Sequence, residues 1–296
     1  MDKGGTLMKN VFLEPAAMRI AMEPARWNLV GTAFSVHSRP LRRSAHQAWM
    51  AGHTESHPAR EILFVLKGQG RYGFMGQVYS CPPGTAMFFD AYEPHDRFYP
   101  PSAGLWLHLW IRLFECDVAA HLLHIQKGRC RDAGLHVALA NDPAAAQLSA
   151  VWDECKSDRL PRDFSIAKVR VALASLLLRI IGTGFSCGGA QEAETFQRQV
   201  VATIRRHVAR TTGKGVPLAE AARLAGYSKF HFLRLFKQES GLTFHDYVNE
   251  CRRRRVAAML RENKSKTEIS NELGFSHPSA FLRWMKHSGQ LPHSNE

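Results

Sequence analysis

The sequence predicts an α+β protein of two domains, a β-barrel or sandwich followed by helices and then an all-helical C-terminal part. Three observations carry that expectation. Short β-rich runs separated by turn residues occupy residues 29–113, the texture turns helical at Asp142-Pro143, and one helix–turn–helix pattern occurs twice in the last third. At 296 residues, 45% of them hydrophobic, the chain can build two cores, since single domains settle near about 100 to 200 residues.

The predicted strands are Glu61–Leu66, Arg71–Phe74, Gln77–Cys81, Thr85–Phe89 and Leu105–Leu113, punctuated by Gly68, Gly70, Gly76 and Pro82-Pro83-Gly84. Strands this short and evenly spaced belong to closed or stacked sheets. At Asp142 a capping residue precedes a proline whose fixed φ suits a first helical turn, and alanines and leucines follow.

The helix expected from Phe164 to Ile181 sets Ile166, Val169, Leu173, Leu176, Leu177 and Ile180 in one apolar stripe. Two burials are open to it: against its own domain, or against a second copy in a coiled-coil-like seam. Gly182 to Ala190, with four glycines, reads as a flexible linker. The expected layout is a barrel over 10–140, a helical dimerisation and linker region over 141–190, and a helical domain over 191–296. Residues 7–28, ahead of the barrel, are expected to form an arm.

The net charge is +13, and residues 191–296 hold 18 Lys and Arg against 10 Asp and Glu, a net of +8. That density suits a polyanionic partner. Six scattered cysteines (Cys81, Cys116, Cys130, Cys155, Cys187, Cys251) contain no C-x-x-C pair, so neither a zinc site nor a disulfide framework is expected. The most apolar run, Val171 to Leu178, is hemmed by Lys168, Arg170 and Arg179, far short of the roughly 20 residues a membrane helix needs. No secretory signal is expected either, and the expected location is the cytoplasm.

A helix-turn-helix requires a small residue where its helices approach, a glycine four positions on for the turn, and an apolar anchor on the second helix. Ala222, Gly226 and Phe232 meet that specification, and Ser270, Gly274 and Phe281 repeat it with a turn one residue longer. Beyond the turn, Phe232-Leu-Arg234-Leu-Phe-Lys237 and Phe281-Leu-Arg283-Trp-Met-Lys286 keep the same anchor, arginine and lysine spacing, followed by Gly241 and Gly289. Thr243 and Ser265 stand three residues before Asp246 and Glu268 as capping boxes.

These residues resemble the DNA-binding domain of the AraC/XylS family of bacterial regulators over about Val200 to Pro292. The resemblance implies two units joined by one long helix, here Phe244 to Glu262, reaching adjacent major-groove segments of double-stranded DNA. On the first recognition helix Phe232, Leu235 and Phe236 form the core stripe, leaving Lys229, Phe230, Leu233, Arg234 and Lys237 outward. Arg234 is the expected base reader, because its fork can engage guanine O6 and N7 together, while Phe230 can press on thymine methyls. Ser279, Arg283 and Lys286 stand at equivalent places on the second. In the run Arg252–Arg255 the family commonly has arginine followed by an apolar residue, and Arg253 departs from that. Arg252 is assigned to phosphate, with the choice among the four left open.

In the N-terminal part, His57-Pro-Ala-Arg-Glu61, Gly68, Gly76 and Pro82-Pro-Gly84 resemble most of the two cupin motifs, which implies a jelly-roll barrel. Where metal-binding cupins carry histidines, this chain has Glu55, His57 and Met87. Only His57 and Glu61 keep their ligand types, with His95 as the one evident replacement, so no metal and no cofactor are expected. The order Gly68-Gln-Gly70, Pro83-Gly84, His95 and Trp106-Leu-His108-Leu-Trp110 is similar to that of a sugar-sensing member of the AraC family. The resemblance puts a small-molecule effector at His53, Arg97, His108 and Trp110, and strand alternation adds Trp106. Period-two alternation sets Trp106, His108, Trp110 and Arg112 on one face, flat aromatic surface beside hydrogen-bonding groups.

The function expected is a ligand-responsive, sequence-specific transcription regulator and not an enzyme. It would act as a homodimer on promoter DNA, with RNA polymerase as a further partner. Its rivals are a metal-dependent cupin enzyme with a basic helical appendage and an architectural DNA binder blind to any ligand.

Overall fold

Strand β8 (Trp106–Phe114) is buried along its whole length, which requires a layer on each of its faces. Its residues separate by parity: Leu107, Leu109, Ile111 and Leu113 enter a core shared with helices, while Trp106 and Trp110 enter a second core. The computed structural model describes residues 15–34, 40–41, 45–56, 59–114, 117–157, 161–186, 190–214, 216–225 and 229–287. The chain divides into two units, Met1–Phe196 and Gln197–Glu296.

In the first unit a six-stranded sheet runs in the order β1 (Asn28–Val30), β6 (Thr85–Phe89), β3 (Arg60–Lys67), β8, β9 (Asp117–Gln126) and β10 (Arg129–Leu139). A four-stranded sheet runs β2 (Thr54–Glu55), β7 (His95–Asp96), β4 (Gly70–Phe74), β5 (Gln77–Cys81). Tyr72, Phe74, Phe89, Tyr99, Trp106 and Trp110 fill the inner core. The other face of the six-stranded sheet is covered by α1 (Pro15–Ala21), α3 (Pro143–Cys155) and α4 (Arg162–Ser186). Helix α2 (Ala45–Met50) packs on β4 and β5.

All five predicted strands are present. The β9–β10 hairpin goes beyond them, and its turn explains why it was not legible: Lys127 takes φ +50° beside Gly128 at +74°, where Asn-Gly is the usual signal. Asp142 caps α3 by accepting from the amides of Ala144 and Ala145 at 2.9 and 3.3 Å.

Three expectations are corrected here. The stripe Ile166, Val169, Leu173, Leu176, Leu177, Ile180 is at most 4% exposed and belongs to the core of its own unit. It is therefore no seam for a second copy, and residues 141–186 are not a region separate from the barrel. Gly182 to Ser186 are not linker but the end of α4, and a side chain at Gly184 would come within 2.2 Å of Leu135; residues 187–189 lie outside the described residues. Residues 15–28 are no free arm, since Ala17, Ala21 and Trp27 are core residues; residues 7–14 lie outside the described residues.

The second unit contains the helices α6 (Leu218–Leu224), α7 (Lys229–Ser240), α8 (Phe244–Arg261), α9 (Lys266–Glu272) and α10 (Pro278–His287), and α5 (Ala190–Thr211) leads into it. Phe244 meets Phe232 and Phe236 edge to face at 5.6 and 5.4 Å, with those two rings tilted against each other at 5.5 Å, and Val256, Met259, Ile269, Leu273 and Phe281 form the other core. Thr243 caps α8, and Ser265 with Glu268 forms a complete capping box on α9. Gly241 ends α7 with φ +74°. The first turn glycine, Gly226, and the closing Gly289 lie outside the described residues.

Gly68 has φ +88°, and a Cβ there would stand 2.6 Å from the Leu105 carbonyl. Gly68→Ala is expected to destabilise the protein by about 1–3 kcal/mol, read as a lower urea midpoint.

Candidate functional site

Two sets of residues stand out, one inside each unit. In the first, the inner face of β8 presents Trp106, His108, Trp110 and Arg112, as the alternation predicted. Trp106 is accommodated because Gly70 has no side chain, since a Cβ there would lie 2.8 Å from the indole. Trp106 stacks on His108 at 5.4 Å and 15°. Trp110 Nε1, which can only donate, gives its proton to Tyr99 Oη at 2.9 Å. The Tyr99 hydroxyl then donates to His108 Nδ1, also at 2.9 Å. Burial holds the His108 pKa down at about 3, so the ring is neutral and its proton sits on Nε2. That buried Nε2 has no partner among the described residues, a costly state unless something supplies an acceptor.

Further along the same face lies a charged layer. The register of β3 and β8 sets Glu61 opposite Arg112, whose Nε donates to Glu61 Oε1 at 2.5 Å. His95 stacks on Phe89 at 4.4 Å, donates through Nδ1 to the Glu93 carbonyl, and holds Nε2 at 3.6 Å from Glu61 and 3.9 Å from Glu55. The guanidinium of Arg112 thus occupies the carboxylate that a cupin would offer to a metal. Among the described residues no group of three or more His, Cys, Asp or Glu could hold an ion; His57 lies outside them. Met87 is packed against Cys81, sulfur to sulfur at 3.5 Å.

Two predicted effector residues stand elsewhere. The side chain of Arg97 is 56% exposed, lies over Phe98 and reaches toward Glu55 at 3.7 Å, so it faces solvent and not the inner core. His53 stacks on Trp49 at 4.3 Å and bonds the Trp49 carbonyl. Tyr99, the hub of the relay, was missed; it lies in a loop before Pro100-Pro101, where no periodicity marks it.

In the second unit, α7 and α10 bury Phe232 and Phe281 completely and expose equivalent positions. Lys229, Arg234 and Lys237 are exposed, Leu233 is half-buried, and Phe230 is 88% exposed. On α10 Ser279, Arg283 and Lys286 are exposed. Among the described residues none of these five cations is in an ion pair. Trp284 Nε1 donates to Asn249 Oδ1 at 2.9 Å and ties α10 to α8.

The run on α8 is different. Arg252 is half-buried, donates to the Thr212 carbonyl at 3.3 Å and lies over Phe275 at 5.3 Å, and burial lowers its pKa. Arg253 and Arg254 share Glu250, and Arg255 pairs with Glu272 and Glu262.

Residues 41–169 match the AraC-like ligand binding domain and residues 221–293 match a helix-turn-helix domain. The chain belongs to the AraC family of transcription regulators. It is 35% identical over 81 residues to a probable transcription factor, PqrA, of Proteus vulgaris, covering 27% of this chain and 66% of the relative. It is 29% identical over 93 residues to the transposon Tn10 TetD protein of Escherichia coli, covering 31% and 67%. The matches thus span about two thirds of these relatives' own length. No solved structure matches. Among the described residues, no helix of this AraC-family chain is long and apolar enough to cross a membrane.

His95 supplies a pH test. Burial alone would lower its pKa, but Glu61, then the Glu93 carbonyl and then Glu55 outweigh that and raise it. A raised value means that protonation stabilises the fold: the contribution is complete below the ordinary histidine pKa near about 6.5 and is lost as pH rises through the elevated value. The melting temperature of the wild type relative to His95→Gln is therefore expected to fall as pH is raised from about 6 to 8.5.

Proposed function

We propose that the protein is a ligand-responsive, sequence-specific DNA-binding transcription regulator of the cytoplasm, and not an enzyme. The observation that carries DNA binding is the equivalence of α7 and α10. Each buries a phenylalanine and exposes an arginine two residues on and a lysine five residues on. Arg234 and Arg283 read base edges, with Phe230 and Leu233 against thymine methyls and Ser279 beside Arg283. Lys229, Lys237 and Lys286 hold phosphates. Arg252 is withdrawn from that list, because its guanidinium is engaged inside the fold. RNA polymerase is a further partner at the promoter.

The effector is a sugar or a closely related neutral metabolite. Trp106 and Trp110 offer flat apolar faces, and the Nε2–H of His108 requires an oxygen acceptor, which a sugar hydroxyl or ring oxygen supplies. The solvent-facing position of Arg97 removes the cation that would have favoured a sugar acid. Effector and DNA are coupled only if the effector binds the two DNA-binding states unequally.

The active form is a homodimer. With the inner stripe of α4 covered, its outer face supports this: Phe164, Val171 and Leu178 are 54, 65 and 57% exposed and recur every seventh residue, as one of the two apolar positions per heptad of a coiled-coil seam does. Val171→Glu is expected to give monomers by sedimentation equilibrium where the wild type sediments as a dimer.

The reading is tested by recovering DNA bound from a random-sequence pool, with and without a panel of sugars and sugar acids. The expected result is one motif with two contact blocks about one helical turn apart, altered in affinity by one sugar, with the response lost in His108→Phe. Arg234→Ala is expected to cost about 1–3 kcal/mol on the selected site and relax one base pair. An equal loss on all sequences would reassign Arg234 to phosphate, and no enrichment under any condition would overturn the reading.

A further inference from the structure

The second unit holds a hollow of about 430 Å³ to which neither recognition helix contributes. It opens where the last turn of α5, one face of α8 and the end of α9 meet. The α8 residues lining it, Tyr247, Cys251, Arg254, Arg255 and Ala258, recur at three- and four-residue intervals, so a single face of the helix forms one wall. The volume lies in the range of small-molecule sites, about 300–1,000 Å³.

The lining has two chemistries. Ala209 and Ala258, with the Cys251 thiol, make an apolar floor. Burial raises the pKa of that thiol, so it serves as uncharged lining and not as a nucleophile. The Tyr247 ring is fixed beside it, its hydroxyl donating to the Arg205 carbonyl at 3.2 Å with the Arg205 guanidinium 5.3 Å from the ring centre. Around this floor stand Arg210, Arg254 and Arg255 with Glu272, while Glu250 and Glu262, outside the lining, pair with Arg254 and Arg255. Arg255 holds Glu272 through two of its nitrogens, an arrangement that any carboxylate or phosphate oxygens can reproduce.

We propose that this hollow binds a small organic anion, a carboxylate or phosphate monoester on a compact apolar body. Its charged group takes the place of Glu272 on Arg255, with Arg210 and Arg254 alongside, and its body covers Ala209, Ala258 and Tyr247. The Arg255–Glu272 pair joins α8 to α9, the first helix of the second helix-turn-helix. Occupancy is therefore coupled to the tie that holds that unit, and DNA affinity and anion affinity shift each other by the same factor. The site is independent of the effector assigned to the barrel.

Titration calorimetry of the full chain with phenyl phosphate, benzoate and inorganic phosphate tests this. Phenyl phosphate or benzoate is expected to bind one to one and saturably, inorganic phosphate at least about tenfold more weakly for want of the apolar floor, and the better of the two aromatic probes tells phosphate from carboxylate. Arg255→Ala is expected to weaken binding about tenfold or more, Glu272→Gln to strengthen it by removing the competing carboxylate, and His108→Phe to leave it unchanged. Because Arg255→Ala also removes ion pairs that hold the fold, Ala258→Leu supplies a second test: it fills the floor, keeps every charge, and should abolish binding. A response that does not saturate, or one indifferent to Ala258→Leu and Glu272→Gln, overturns the proposal. Competitive displacement of the probe by unrelated duplex DNA also overturns it, and makes the hollow a backbone-phosphate contact.

Discussion

Burial of β8 on both faces is the constraint on which the first unit depends. A strand that must exclude water on two sides needs apolar residues at both parities, and β8 satisfies this on the helix side with Leu107, Leu109, Ile111 and Leu113. On its inner side it carries two tryptophans, a histidine and an arginine instead. Those polar groups are affordable only in company: Arg112 with Glu61, and His108 with Tyr99. The candidate effector site is thus a local exception to a rule that the rest of the strand obeys, and it lies where the exception is left incomplete.

Much of this was legible in the sequence, for identifiable reasons. Strands bounded by glycine and proline, such as Thr85–Phe89, announced themselves, as did the proline-led start of α3. The β9–β10 hairpin did not, because a lysine holds the left-handed turn position that asparagine usually marks. The face shared by Trp106, His108 and Trp110 followed from alternation alone. Tyr99 could not, because a loop residue has no period and its role exists only once the loop is folded over the sheet. Arg97 failed for a different reason: the resemblance placed it at the site, while its side chain turns to solvent.

In the second unit the four consecutive arginines show how little a charge run says by itself. Arg252 is absorbed by a carbonyl and an aromatic ring, two of its neighbours by one glutamate, and Arg255 by two more. On α7 and α10, away from the densest stretch of charge, Lys229, Arg234, Lys237, Arg283 and Lys286 are exposed and outside any ion pair among the described residues. Partnership, more than abundance, decides which groups face a polyanion.

The segment ahead of the barrel bears on how the sheet ends. β1 is three residues long and pairs in parallel with β6, covering that flank of the six-stranded sheet. It is held by Trp27, whose ring meets Phe64 edge-on at 5.1 Å, whose Nε1 donates to the Ile20 carbonyl, and whose own carbonyl accepts from Arg170. A sensor unit shortened to begin after Val30 would lose that anchor and lay bare the backbone amides and carbonyls of β6. An uncovered strand of that kind templates its own kind, so the trimmed unit would be prone to edge-to-edge aggregation.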